Sequence, residues 1–271
     1  MSGQRGGHQH ELTFTGERLH EEDALFGVDL VRHQVAYQHA IRIARERGAR
    51  KVLELGSGTG YGTAELASAL PEVIAIDRIA PLATGRTSSA HFVRADLAAL
   101  PLASARFDLT VSFQVIEHLP DPTGYLDAIA RHLDPAGVAL ITTPNRLQSD
   151  GENPFHVHEY VSEELAARLA HHFAEVEMLA ISLRGEAARY QQERLRRIRR
   201  IVRLDPLGLR KMLPSTLAEW LFARAARLVR RGIAAGEGIP EVGYDDFPIG
   251  PADPGALDLM AVCSKPIARG R

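Results

Sequence analysis

Short aliphatic runs alternate with longer amphipathic ones along most of the chain. Runs at 51–55 (KVLEL), 73–77 (VIAID), 91–95 (HFVRA), 107–113 (FDLTVSF) and 137–143 (GVALITT) have the length and composition of buried strands. Helical spacing predicts helices over 61–70 and 122–133, and another over 28–47 that ends near Gly48. A helix over 162–173 opens with Ser162 and carries Glu163 and Glu164 in its first turn, where acidic side chains meet the positive end of the helix dipole. AEVEMLAISL (174–183) and ALDLMAVCSKP (256–266) are again strand-like, the second a late addition to the sheet. This alternation predicts an α/β fold, with a mostly parallel seven-stranded sheet covered on both faces by helices.

One segment breaks the pattern. RYQQERLRRIRRIVRL (189–204) sets Leu195, Ile198 and Ile201 or Val202 at helical spacing among arginines. After DPLGLRKMLP a second helix is expected, with Thr216 and Glu219 as a capping box and Gly232 as its stop. Its apolar positions include Leu217, Trp220, Leu221, Leu228 and Val229. The chain therefore divides into an N-terminal segment, 1–27, expected to be partly disordered, and one domain, 28–271. A helical hairpin over 185–240 is inserted between the domain's last two strands.

Composition narrows the setting. The 271 residues suit one large domain, and no apolar run is long enough to cross a bilayer. MSGQRGGHQHELTFTGERL has no apolar signal core, so the N-terminus is expected to be retained and the protein cytoplasmic. Cys263 is the single cysteine, which excludes an internal disulfide and a cysteine-rich metal site. The net charge of −2 hides an asymmetry, because fourteen Lys and Arg but four acidic residues fall between Arg184 and Arg231. An acidic body carries one basic segment.

The candidate chemistry starts at VLELGSGTGYG, residues 52–62. No Gly-Lys-Ser/Thr ending follows, so the loop is not that of a nucleotide hydrolase. The dinucleotide spacing fails too, with Tyr61 where a third glycine is needed. Glu54 stands where a pyrophosphate would lie, and a carboxylate there repels phosphate and welcomes an ammonium group. Asp77, ending the second strand, can accept from both ribose hydroxyls. Asp96 can accept from an adenine amine, with the Leu97 N–H facing a ring nitrogen. An adenosine with an amino-acid tail and no phosphate, S-adenosylmethionine, meets these demands.

ELGSGTG, IAID and RADLAALPLASARFDLTVSFQVIEHLPDP resemble class I S-adenosylmethionine-dependent methyltransferases, in the branch that includes ubiquinone-pathway and bacterial sugar or natural-product enzymes. The resemblance covers about residues 30–183 and the terminal strand. It implies a Rossmann-like three-layer α/β/α fold and S-adenosylmethionine as cofactor. It further implies that Glu54, Gly56, Ser57, Gly58 and Gly60 line the methionine and ribose portions, Asp77 the ribose, Asp96 and Leu97 the adenine, and Gln114 the wall beside the sulfonium. O-methylation of a hydroxyl on a sugar, glycan precursor or specialised metabolite is the expected activity. Methylation of a quinone-like or polyprenyl lipid at a membrane, or non-catalytic cofactor binding, are the alternatives.

A hydroxyl acceptor benefits from a base, and three histidines follow strand ends: His118 in VIEHLPDP, and His156 and His158 in NPFHVHEY. In an extended segment His156 and His158 face the same side. Some ubiquinone-pathway members hold a divalent metal with an earlier acid and the Glu-His pair. Gln114 takes that acid's place here, so no metal is expected. Glu17 and Arg18 are candidates to close the cofactor pocket, and His33 or Tyr37 to reach the cofactor carboxylate. The basic hairpin over 189–231 admits a lid role, an anionic acceptor held by arginines, or contact with an anionic membrane surface. Nucleic acid is disfavoured, because the Asn/Asp-Pro-Pro-Tyr/Phe signature of many nucleic-acid amino-methylating enzymes is replaced by SFQVIEH.

Overall fold

Along strand β1 (Lys51–Leu55), Val52 packs into one apolar cluster and Leu53 and Leu55 into another. The same alternation divides strand β5 (Leu133–Pro144), whose Val138 and Leu140 point one way and Ala139 and Ile141 the other. The sheet thus separates two cores. A computed structural model describes residues 19, 23–83, 85–97, 99–102, 104–151, 153–203, 205, 215–236 and 238–267. The expectations for residues 1–18 and 20–22, including Glu17 and Arg18, lie outside them.

The remaining strands are β2 (Glu72–Asp77), β3 (Ala90–Arg94), β4 (Phe107–Phe113), β6 (Phe173–Ile181), β7 (Ile249–Pro251) and β8 (Asp258–Pro266). They form one eight-stranded sheet in the order β3-β2-β1-β4-β5-β8-β6-β7. β1 to β5 are mutually parallel, β8 runs antiparallel between β5 and β6, and β7 pairs antiparallel with β6. The sheet therefore has one strand more than the seven expected. β7 is a three-residue edge inside FPIGP, preceded by one proline and ending on another, and such a stretch does not read as a strand. The chain direction of strand addition reverses between β1 and β4, and in open α/β sheets the crevice at that point binds ligands.

Helices α1 (Gly27–Arg47) and α2 (Tyr61–Ala69) cover one face, and α3 (Thr123–His132) and α4 (Ser162–Leu169) the other. Gly48 ends α1 in the left-handed conformation, its N–H meeting the Ala44 and Arg45 carbonyls. α4 stops four residues short of its expected end, because the chain turns at His172 to enter β6. His172 is buried there against Asp127, 2.8 Å away.

The basic segment is a pair of helices, α5 (Gly185–Val202) and α6 (Ser215–Gly236), lying between β6 and β7 in the chain. The expected Thr216–Glu219 box rests on the Thr216 side chain, which lies outside the described set. Gly232 does not stop α6. A Cβ there would lie 2.6 Å from Arg197 Nη1, so the missing side chain makes room for an α5 arginine. Ala187, Tyr190, Val229 and Ile233 bury the hairpin's base in the core shared with α1 and the sheet. Its exposed positions include Leu217, Trp220, Leu221 and Leu228, with the Arg224 guanidinium 4.2 Å over the Trp220 ring. No described helix is long and apolar enough to cross a membrane. Cys263 is buried on β8, and burial pushes its thiol up to about 12, so it is chemically quiet.

Gly62 sets how closely α1 meets α2. A Cβ on it would fall 1.9 Å from Tyr37 Cζ. The Tyr37 ring has little room to retreat, being edge-on to Phe113 at 4.9 Å between centroids. Gly62→Ala is expected to destabilise the protein by about 1–3 kcal/mol in urea unfolding. Unchanged stability would contradict this packing.

Candidate functional site

The loop after β1 needs glycine for its backbone. Gly56, Gly58 and Gly60 have φ of 84°, 56° and 94°, in the region that disfavours side chains. A Cβ on Gly56 would also strike Val115 Cγ2 at 2.3 Å, and one on Gly60 the Gly85 carbonyl at 2.7 Å. Gly58 differs, for a Cβ there would meet nothing within 4 Å. The loop is thus braced at both ends and open at its middle. Ser57 is buried, with its N–H directed to the Ile76 carbonyl.

Asp77 closes the loop from β2. Its Oδ2 accepts from the Gly58 N–H at 2.8 Å and its Oδ1 from the Ile79 N–H at 3.0 Å. Asp96 is exposed just beyond β3, with Leu97 buried beside it. Glu54 lies beneath the loop, 1% exposed, accepting from Tyr37 Oη at 2.7 Å and Thr63 Oγ1 at 2.5 Å. Tyr37 therefore reaches Glu54 within the protein, and His33 Nδ1 lies 3.1 Å from Tyr61 Oη. Thr63, one helical turn past the glycines, had no sequence signal of its own beyond its place at the start of α2.

A cavity of about 540 Å³ opens at the carboxyl ends of β4 and β5. Gln114 and His156 line it, whereas His118 and His158 do not. Gln114 has a φ of 56°, an uncommon conformation for a non-glycine residue and one that concentrates at functional sites. Its N–H donates to the Thr142 carbonyl, which anchors the strained residue to β5.

The NPFHVHEY segment is a turn rather than an extended run, because the N–H groups of both Val157 and His158 donate to the Glu117 carbonyl. His156 and His158 are thereby sent to different surroundings. His158 Nε2 meets Glu164 Oε1 of α4 at 2.6 Å and remains 42% exposed. His156 is 13% exposed, with Nδ1 at 2.6 Å from Glu159 Oε1 and Nε2 at 2.8 Å from Asn153 Nδ2. Asn153 Oδ1 accepts from the Phe155 N–H, so its amide NH₂ is turned to Nε2. The ring then carries its proton on Nδ1, toward Glu159, and offers the Nε2 lone pair. Glu159 and Asn153 had a faint signal in the sequence, three positions either side of His156.

His118 Nδ1 lies 2.9 Å from the Phe155 carbonyl, and its ring is 5.2 Å from that of His156. Glu117 is fully buried and accepts from Thr143 Oγ1 at 3.0 Å. Glu117, His118 and His156 each bring one ligating atom to within 4.8 Å of the others, a grouping with the chemistry to hold a cation.

Charged pairs wall the other side of the cavity. Arg230 Nη2 donates to Asp29 Oδ2 at 2.7 Å, and Arg32 Nε lies 3.4 Å from Asp258 Oδ2. Burial raises the Asp29 carboxyl, but Arg230, then Arg194 and Arg32, outweigh it and hold the group below the usual carboxylate range. These pairs join positions some two hundred residues apart, and spacing in the sequence carries no trace of them.

Comparison with known proteins agrees with this geometry. A family model described as "Methyltransferase domain" matches residues 31–201, more than half the chain. A Mycobacterium tuberculosis protein named "Probable S-adenosylmethionine-dependent methyltransferase" is 39% identical over 166 residues, covering 58% of this chain and 60% of that relative. A ubiquinone biosynthesis O-methyltransferase of Cereibacter sphaeroides is 33% identical over 105 residues, covering 35% of this chain and 42% of the relative. The chain thus matches well under two thirds of the length of either relative. A Thermotoga maritima S-adenosylmethionine-dependent methyltransferase structure shares the fold, with a TM-score of 0.53 at 13% identity, covering 89% of this chain and 98% of the other.

Burial raises the Glu54 carboxyl from its ordinary 4.5 to about 7, against the lowering effect of the Thr63 and Tyr37 hydroxyls. The folded protein therefore holds this proton more tightly than the unfolded chain does. The resulting stabilisation is complete below about pH 4.5 and is lost as pH rises through about 7. Relative to Glu54→Gln, the wild type should lose on the order of 2–3 kcal/mol between about pH 5 and pH 8. Parallel pH dependence of urea unfolding in the two proteins would contradict this assignment.

Proposed function

The chain belongs to the methyltransferase-domain family; from that premise we propose that it is an S-adenosylmethionine-dependent methyltransferase and that it O-methylates a hydroxyl of a small-molecule acceptor. The residues around the glycine loop fit the cofactor. Glu54 lies beneath the loop, Asp77 braces it, Asp96 follows β3 at the same end of the sheet, and Gly58 leaves the loop's middle open. Such a site repels phosphate and suits a cationic ligand that carries a ribose. Asp77 is our assignment for the ribose hydroxyls, Asp96 and Leu97 for the adenine.

When bound, the cofactor supplies a methyl group already activated by its sulfonium charge. The protein has to position an acceptor and receive one proton. Gln114 links the two halves of the site, since it ends β4 at the strand-order reversal and also lines the cavity. Holding the reactants in line there is worth up to roughly 7–11 kcal/mol in well-oriented systems. His156 is the base. The acceptor hydroxyl takes the place of the Asn153 amide at Nε2 and gives its proton to that nitrogen. Glu159, on the Nδ1–H, stabilises the imidazolium so formed. The bound cofactor would supply the methyl group that this oxygen takes up, its sulfur keeping the electron pair as a neutral thioether. The observation that carries this reading is the Asn153–His156–Glu159 alignment at the cavity wall.

The aliphatic residues that α5 and α6 contribute to the cavity favour a specialised metabolite, or a sugar carrying an apolar group, over a bare glycan. A second reading, methylation of a quinone-like or polyprenyl lipid at a membrane surface, draws on exposed Leu217, Trp220 and Leu228 beside the arginines of α6.

Two measurements test the roles. With methyl-labelled S-adenosylmethionine and an extract of the source cells, His156→Ala should slow label transfer about 10²–10⁴-fold while leaving cofactor affinity unchanged. His158→Ala should stay near the wild-type rate, and equal losses in the two variants would remove His156 as the base. The label should leave in an ether, in the aqueous fraction; a label in the lipid fraction would favour the membrane reading. By calorimetry, Asp77→Ala should weaken cofactor binding by about tenfold or more, and unchanged affinity would contradict the assigned pocket.

A further inference from the structure

Three arginines line the cavity, and they are not equivalent. Arg230 is committed: it meets Asp29, donates to the Ala226 carbonyl, and stacks 4.1 Å over the Phe26 ring. Arg32 faces Asp258 and reaches His33. Arg194, on α5, hydrogen-bonds among the described residues only to a neutral group, the Gln191 amide oxygen at 3.0 Å from Nη1. Its Nε is shut off from water with no hydrogen-bond partner, and Asp29 and Asp150 act on its charge through space rather than by a direct ion pair. A guanidinium held this way gains from an anion in direct contact, which a neutral group does not replace equally.

The walls around Arg194 are of the opposite kind. Leu195, Ile198 and Val202 from α5 and Leu221, Phe222 and Val229 from α6 line the same cavity. The trough adjoins a guanidinium that makes no direct ion pair, in a cavity whose lining also holds Asp29, Glu117, Asp150, Glu159 and Asp258. Burial first, then the neighbouring Arg230, lowers the Arg194 pKa against the raising pull of Asp29 and Asp150, so its charge is offset only in part and at a distance.

We propose that Arg194 is the specificity handle of the acceptor site and binds the carboxylate or phosphate of an acceptor whose aliphatic or aromatic body lies along the α5–α6 trough. This inference rests on the methyltransferase reading in taking the cavity as the acceptor's. The ligand binding itself requires no cofactor. Arg194 touches the acceptor's anion and not the reacting atoms, so its loss should fall on acceptor affinity and leave cofactor affinity alone.

The test uses the full chain and three eight-carbon probes titrated calorimetrically: octanoate, octyl phosphate and 1-octanol. At least one anion should bind the wild type about tenfold or more tightly than octanol, and the better anion identifies the group recognised. Arg194→Gln should reduce that preference to less than about threefold, with Arg194→Lys recovering part of it, while thermal melting shows all three proteins folded. Octanol binding as tightly as both anions, a preference that survives Arg194→Gln, or no binding of either anion would each overturn the proposal. S-adenosylmethionine is titrated into the same proteins. Failure of the wild type to bind it would sink the methyltransferase reading and leave the anion preference standing on its own.

Discussion

A carboxylate buried under a glycine loop has to be answered by donors or by a proton, and the architecture of the cofactor side follows from how Glu54 is answered. Tyr37 from α1 and Thr63 from α2 both point their hydroxyls at it. For Tyr37 to arrive, α1 must lie against α2 at the position of Gly62, and the ring must wedge against Phe113 at the end of β4. One interaction therefore ties two helices and two strands at the crevice where the strand order reverses. The glycine loop above it is then fixed from the other side by Asp77, whose two oxygens take two backbone N–H groups. Preorganisation of this kind keeps the loop from collapsing into its own open middle.

The proposed acceptor side is held by a different force. The hairpin is rooted by apolar residues at its base, but its placement over the cavity depends on buried ion pairs that cross from α6 to α1 and from α1 to β8. Such pairs add little net stability, since desolvation offsets much of their attraction, yet they fix one arrangement because a slip leaves charges unpaired. That accounts for a basic segment that is neither a solvated surface feature nor a separate domain. Its arginines are apportioned: some face solvent, Arg230 neutralises Asp29 at the cavity wall, and Arg194 hydrogen-bonds only to the neutral Gln191 amide.

Much of the fold was legible because its signals are local. Every strand of the parallel core and both hairpin helices appear as apolar runs or helical spacing, and Gly48 marks the end of α1 where expected. The failures have identifiable causes. β7, with a proline before it and another at its end, is too short to register as a strand. Gly232 reads as a stop because, in sequence, a glycine that ends a helix and one that admits a neighbouring arginine look alike. At the site, the glycines and Asp77 announce themselves by order and spacing. The distinction between His156 and His158 does not, since it depends on a turn drawn in by the Glu117 carbonyl. The roles of Thr63, Asp29, Asp258 and Arg194 are set by long-range packing, and no local pattern encodes that.

The central claim is that cofactor and acceptor meet at Gln114, with His156 on the acceptor side. A crystal structure of the protein with the demethylated product, S-adenosylhomocysteine, tests it most directly. The account predicts that the product's sulfur opens onto the cavity between Gln114 and His156, with the ribose hydroxyls on Asp77. A sulfur directed away from that cavity, with His156 on the far side of a closed wall, would contradict it.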